Sequence, residues 1–263
     1  MTTTVTSADG TSIAFDTYGT GAPVLLVGGA VNDRTTVAAL AVVLAEAGFQ
    51  AVAVDRRGRG DSGDALVYSV ERELDDLTAV IEAVGGSAAL FGHSSGAILA
   101  LEAAARGLPV SKVAAYEPPF IVDGERPRPG DDLAERLSAL LADGDRDGAV
   151  ELFLTEGVSV PAEGVAAMKG QPVWDWFVGY AHTLPYDATV TGPGGRLPAD
   201  RLAAITVPVL VMSGGAGEAW MGASARAVAE TVPHARYELI PGQDHSVLNA
   251  PESLRSVLTD FLK

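Results

Sequence analysis

One serine in this chain sits where a serine can become a nucleophile. The pentapeptide Gly92-His93-Ser94-Ser95-Gly96 follows the apolar run SAALF and precedes the helical pattern AILALEAAAR. A G-x-S-x-G at a strand-to-helix turn forms a nucleophile elbow. The turn is so tight that its flanking positions must lack bulk, which Gly92 and Gly96 satisfy. It lifts the Ser94 hydroxyl above the sheet edge, at the positive end of the following helix, and aims the Ser95 backbone N–H at a developing oxyanion. The chemistry this allows is acyl transfer. Its base would be an imidazole, which titrates near neutrality, and the chain carries four: His93, His182, His234 and His245.

A nucleophile of this kind needs a rigid sheet under it. Val5 begins a first strand, Asp9-Gly10 is a hairpin turn, and Ser12 to Tyr18 returns. The continuous apolar runs Pro23 to Val27 and Ala51 to Val54 read as strands buried on both faces. Ser87 to Phe91, Val113 to Tyr116, Val207 to Met212 and Tyr237 to Ile240 continue the set. Helical patterns lie between them at Asp33 to Ala47, Val70 to Val84, Ser95 to Arg106, Trp220 to Thr231 and Glu252 to Leu262. This β-α alternation predicts an α/β fold, a mostly parallel central sheet with helices on both faces. The alternation breaks at Pro118-Pro119. From there to about Ile205 only helices are expected, at Asp131 to Ala142, Asp147 to Thr155 and Pro172 to Thr183.

With these residues in place, the chain resembles the α/β-hydrolase family over nearly its whole length. Asp55-Arg56-Arg57-Gly58-Arg59-Gly60-Asp61-Ser62 is similar to the family's D-x-R-G-x-G-x-S turn, and Pro241-Gly242-Gln243-Asp244-His245 to its P-G-x-G-H loop. The resemblance implies an α/β-hydrolase core formed by residues 1–118 and 206–263, with a helical cap at 119–205 inserted after the sixth strand. It also implies His245 as general base to Ser94, while His182 and His234 read as structural or surface residues. His93, inside the elbow, is expected to pack beside the nucleophile.

The triad acid departs from the family pattern. Most relatives carry it in a G-x-x-D loop after the strand that follows the insertion. Here that segment reads PVLVMSGGAGEAW, which puts Gly217 at the usual Asp position and Glu218 one residue late. Some relatives, several haloalkane dehalogenases among them, place the acid after the preceding strand, and VAAYEPP puts Glu117 there. Glu117 is preferred over Glu218, with Asp244 third. The second oxyanion donor comes, in relatives, from the residue after an H-G pair. In Gly28-Gly29-Ala30 the His is replaced by Gly28, and the Ala30 N–H takes the donor position beside that of Ser95.

The predicted activity is hydrolysis of a carboxylic ester, or a related acyl bond, of a small apolar molecule through an acyl-enzyme. Phe120, Trp174, Phe177 and Trp220 are the candidate substrate-binding side chains. No Arg or Lys cluster suggests phosphate or coenzyme A recognition. A serine at the elbow argues against dehalogenase or epoxide hydrolase chemistry, which uses Asp there. Two rivals stay open. One is a cofactor-free perhydrolase, lyase or biosynthetic acyl-transfer or cyclisation enzyme on the same triad. The other is a non-catalytic binding protein of this fold.

Composition narrows the partners. Eighteen Lys and Arg against 34 Asp and Glu give a net charge of −16, which disfavours nucleic acid and anionic membranes. The absence of cysteine excludes disulfides and thiolate chemistry. The histidines never fall at a zinc-helix spacing, so no metal is expected, and no cofactor. Met1 runs straight into Thr2-Thr3-Thr4, without a signal-peptide pattern, and no apolar run reaches the 18 or so residues of a membrane span. A cytoplasmic protein acting on a small molecule is expected, with a homodimer allowed. Gly58 to Gly63 also spells G-x-G-x-x-G, but no helix opens at once and Asp75 and Asp76 fall mid-helix, so a dinucleotide site is not expected. The tripeptide Arg59-Gly60-Asp61 reads as coincidence within the turn.

Overall fold

The computed structural model describes residues 2–122, 124 and 126–263. The first part of the chain forms β1 (Thr2–Thr6), β2 (Ser12–Tyr18), β3 (Ala22–Val27), α1 (Arg34–Glu46), β4 (Phe49–Val54), α2 (Val70–Ala83), β5 (Ala88–His93), α3 (Ser95–Ala105) and β6 (Val110–Tyr116). Six helices follow: α4 (Leu133–Ala142), α5 (Arg146–Leu152), α6 (Ala162–Met168), α7 (Pro172–Tyr180), α8 (Leu184–Thr191) and α9 (Ala199–Leu202). A π-helical turn, Phe153–Gly157, extends α5. Then come β7 (Val209–Gly214), α10 (Ala219–Thr231), β8 (Ala235–Ile240) and α11 (Glu252–Leu262).

The eight strands make one sheet in the order β1-β2-β4-β3-β5-β6-β7-β8. β1, β2 and β4 pair antiparallel, and every pairing from β4 onward is parallel. The apolar runs are continuous because both faces of the central strands are covered. Leu25, Val27, Ala88 and Leu90 point into one core with α2, α3 and α10. Val24, Leu26, Ala89 and Phe91 point into the other, with α1 and α11. The helix starts obey capping chemistry: the Asp33 carboxylate accepts from the Thr35 N–H at 2.9 Å to open α1, and Ser69 accepts from Arg72 N–H to open α2.

The segment between β6 and β7 is wholly helical among its described residues, and it has a small core of its own around Leu137, Val150, Leu154 and Leu184. It holds six helices where three are legible in the sequence. α6 and α9 are seven and four residues long, too short for a periodic pattern to emerge. Pro185 occupies the first turn of α8, where its missing N–H costs nothing. Among the described residues no helix is long and apolar enough to cross a membrane.

Candidate active site

The carboxyl ends of the parallel strands carry the candidate residues, where an open α/β sheet gathers its ligand site. Ser94 follows β5, Glu117 follows β6, the loop holding Ala30 follows β3, and His245 lies in the loop after β8.

Ser94 has φ 57° and ψ −124°, a conformation costly for a residue with a Cβ, on the order of 1–3 kcal/mol. It is held by its N–H donating to Tyr116 O at 2.9 Å and by the start of α3 immediately after it. The flanking glycines are sterically required. A Cβ on Gly92 would lie 2.3 Å from Gly96 O, and one on Gly96 would lie 2.3 Å from Val27 O. Among the described residues, neither the Ala30 N–H nor the Ser95 N–H donates to a protein acceptor, so both are available beside the Ser94 hydroxyl. The loop between them is packed against the nucleophile: a Cβ on Gly29 would come within 2.8 Å of Ser94 Cβ.

Glu117 and His245 are brought together. Glu117 Oε2 lies 2.7 Å from His245 Nδ1, and its Oε1 accepts from the Gly214 N–H at 2.8 Å. The carboxylate side chain is 1% exposed, while the imidazole is 43% exposed and lines the same cavity as Ser94. Both carboxylate oxygens thus have hydrogen-bond partners, as a buried carboxylate requires. The acceptor at Nδ1 also fixes the tautomer, with a proton on Nδ1 and a basic Nε2. Glu218 is exposed at the start of α10 with no such bond, and Asp244 turns away to accept from the Ser246 N–H at 2.8 Å.

His93 is tied to the loop that carries His245. Its Nε2 lies 2.8 Å from His245 O, a carbonyl that can only accept, so Nε2 carries the proton. Burial pushes its pKa down to about 3, with the neighbouring His245 adding to the shift. The ring is a neutral strut that holds the His245 loop, its centroid 4.6 Å from that of His245.

Two cavities meet at Ser94. One of about 180 Å³ is lined by Ala30, Ser94, Ser95, Arg126 and residues of α4 and α8. The other, of about 620 Å³, is mostly apolar and includes His245, Leu154, Met168, Phe177 and Leu248. Phe177 is therefore at the site. Phe120, Trp174 and Trp220 are not, and their expected substrate contacts are corrected. Phe120 is 1% exposed in the core under the sheet, because its own N–H, bonded to Ser224 Oγ, draws it inward. Trp174 packs in the small helical core, where its indole N–H finds Asp147 at 2.7 Å. The Trp220 ring stacks on the Arg126 guanidinium, 4.4 Å from its centroid, and lines neither cavity.

The sequence reading also misses a buried ion network beneath the oxyanion loop. Asp187 of α8 accepts from Arg56 Nη1 (2.8 Å), Arg59 Nη2 (2.7 Å) and Ser95 Oγ (2.7 Å). Arg56 also pairs with Glu73 at 2.6 Å, and Arg59 Nη1 donates to Gly29 O at 2.6 Å. The turn after β4 is thus a source of buried guanidinium groups, and α2 opens only at Val70, too late for a phosphate-binding turn. Its three arginines in six residues were the available signal, since buried arginines require carboxylate partners.

Comparison with known proteins identifies the family. Residues 24–256 match a family model described as the alpha/beta hydrolase family. The chain is similar to a solved alpha/beta hydrolase from Sphaerobacter thermophilus, with 50% identity, a TM-score of 0.92, and 99% of this chain and 100% of that one covered. It is also similar to a thermophilic esterase from Thermogutta terrifontis (25% identity, TM-score 0.69, 100% and 98% covered). An enol-lactonase from Burkholderia xenovorans shares the fold (20% identity, TM-score 0.74, 98% and 99% covered). No functionally curated protein matches the sequence significantly.

Proposed function

The chain belongs to the alpha/beta hydrolase family, and from that premise we propose that it is a serine hydrolase of carboxylic esters, with Ser94, His245 and Glu117 as its triad. The observation that carries this reading is the 2.7 Å contact between His245 Nδ1 and a buried Glu117 carboxylate, in a cavity that Ser94 also lines. The esterase from Thermogutta terrifontis, at 25% identity, lends support to the ester bond as target.

In this mechanism Ser94 Oγ attacks the ester carbonyl while its proton passes to His245 Nε2. The negative charge that forms on the carbonyl oxygen is met by the Ala30 and Ser95 N–H groups. The tetrahedral species collapses by breaking the bond to the alcohol oxygen, which takes the proton back from His245. Water, deprotonated by His245, then cleaves the acyl-serine and regenerates the hydroxyl. Glu117 orients the imidazole through Nδ1 and stabilises the imidazolium. Residues 119–205 act as a cap over this centre, and the apolar cavity around Phe177 and Leu248 takes the alcohol portion of a small substrate.

A panel of p-nitrophenyl esters and a fluorophosphonate probe test the reading. The expected result is turnover of short and medium esters, with a probe adduct on Ser94 that Ser94→Ala abolishes. An adduct on Ser94 without ester turnover would point instead to acyl transfer or another reaction on the same triad. No adduct at all would leave a binding protein.

A further inference from the structure

Arg126 stands in the wall of the smaller cavity. The residue is 7% exposed. Its Nη2 donates to Gly157 O at 2.7 Å, at the end of the π-helical turn, while Nε and Nη1 have no hydrogen-bond partner among the described residues. No described carboxylate pairs with it. The other charged groups on this cavity are otherwise engaged or solvated: Asp131 pairs with Arg196 at 2.7 Å, Asp187 is shared by Arg56 and Arg59, and Glu135 is exposed on α4. Among the described residues lining either cavity, Arg126 is the only Arg or Lys. Burial lowers its pKa, but a guanidinium starts so high that it stays protonated.

A buried cation with two idle donors is unfavourable unless something fills the site. The Trp220 ring under the guanidinium stabilises it from one side and fixes its plane, but it brings no negative charge. The position in the site says which part of a substrate would supply that acceptor. His245 must return its proton to the leaving alcohol, so the alcohol lies on the His245 side, in the apolar cavity. The acyl portion then extends from Ser94 into the smaller cavity, toward Arg126.

Resting on the hydrolase reading above, we propose that the substrate is a half-ester whose acyl chain ends in a carboxylate, and that Arg126 is the residue that selects it. The remainder of that cavity is partly apolar, with Ile121, Leu133 and Phe153 to pack a short chain. A carboxylate answers the guanidinium's charge, whereas an uncharged acyl chain leaves it uncompensated.

The decisive comparison is mono-p-nitrophenyl glutarate against its methyl ester, which has the same reach without the charge. Wild-type protein should prefer the free acid in kcat/KM by about tenfold to a hundredfold. Arg126→Gln should collapse that ratio toward one, and Arg126→Lys should retain part of it. Equal use of the two esters by the wild type, or a preference that survives Arg126→Gln, overturns the proposal and leaves the esterase reading standing. A second measurement is independent of turnover: glutarate added to the Ser94→Ala protein should quench Trp220 fluorescence saturably, and Arg126→Gln in that background should remove the response. Saturable quenching without ester turnover by the wild type would keep the anion site and remove the esterase reading, whereas no quenching counts against the site.

Discussion

Glu117 and Gly217 meet across the carboxyl ends of β6 and β7: a Cβ built on Gly217 would sit 3.4 Å from Glu117 Oε1. The position that usually carries the triad acid in this family and the position that carries a carboxylate here thus converge on one point in space. The glycine leaves the room that the longer glutamate side chain occupies from the other strand. That Glu117 holds the unusual φ of 47° shows how firmly the end of β6 is bent to deliver it, with its N–H donating to Met212 O at 2.9 Å.

The convergence makes the acid transferable. Glu117→Gln should lower kcat by about 10³–10⁴ while leaving the fold intact, and Glu218→Gln should change it little. Glu117→Ala combined with Gly217→Asp should recover at least tenfold over Glu117→Ala alone, because the new carboxyl group would grow into the vacated space. Steady-state kinetics on a p-nitrophenyl ester decide the matter. A large loss in Glu218→Gln with activity kept in Glu117→Gln would reverse the assignment.

The Asp187 network predicts a stability effect. Asp187→Asn leaves Arg56 and Arg59, both buried, sharing one fewer negative charge, so unfolding should become easier by about 3–5 kcal/mol. The urea midpoint would report it. A loss below about 1 kcal/mol would mean that Glu73 and the Gly29 carbonyl suffice to hold the two guanidinium groups.

Much of the site is local, and local features can be read from a sequence. The elbow glycines, the strand order of apolar runs and the histidine loop are each written in adjacent residues. What is not local stays hidden. Phe120 and Trp174 are aromatic and lie in the inserted segment, yet both are drawn into cores by partners, Ser224 and Asp147, 104 and 27 residues away. Arg126 gives no signal because its place on the cavity wall is set only by the folded chain. Asp187 is one acidic residue among 34 Asp and Glu until α8 lays it on the arginines of the β4 turn.

His93 makes stability depend on pH between about 5 and 7, above the ordinary carboxylate range. Its pKa falls from 6.5 when unfolded to about 3 when folded. Between those values the unfolded chain binds a proton that the folded chain refuses, so stability is complete above about pH 6.5 and is lost as pH falls. The slope approaches about 1.4 kcal/mol per pH unit below pH 6. Buried carboxylates whose pKa is depressed, such as Glu73 and Asp187, add their own loss only at lower pH. Urea unfolding at pH 7, 6 and 5 should show the decline, and His93→Gln should flatten it. An equally steep decline in the variant would assign the effect to another group.

The loop that presents the Ala30 amide is tied down from the inserted helices. The Trp176 indole N–H donates to Val31 O at 2.8 Å, and Val31 itself holds a positive φ of 53°. Tyr180, edge-on to Trp176 at 5.0 Å, donates its hydroxyl to Asp33 at 2.9 Å, so α7 grips both ends of the segment from Val31 to Asp33. Trp176 is half-exposed and contributes little core, so its N–H acts on the loop more than on global stability. Trp176→Phe keeps the ring and removes the donor. It should lower kcat by about tenfold, part of the 10²–10³ expected from losing an oxyanion donor outright, while shifting the unfolding free energy by less than about 1 kcal/mol. The loss should fall on kcat with KM nearly unchanged, because the Ala30 amide acts on charge that exists only in the transition state. If KM rises instead and kcat holds, Trp176 shapes the substrate cavity, and the Tyr180 and Arg59 contacts suffice to hold the oxyanion loop.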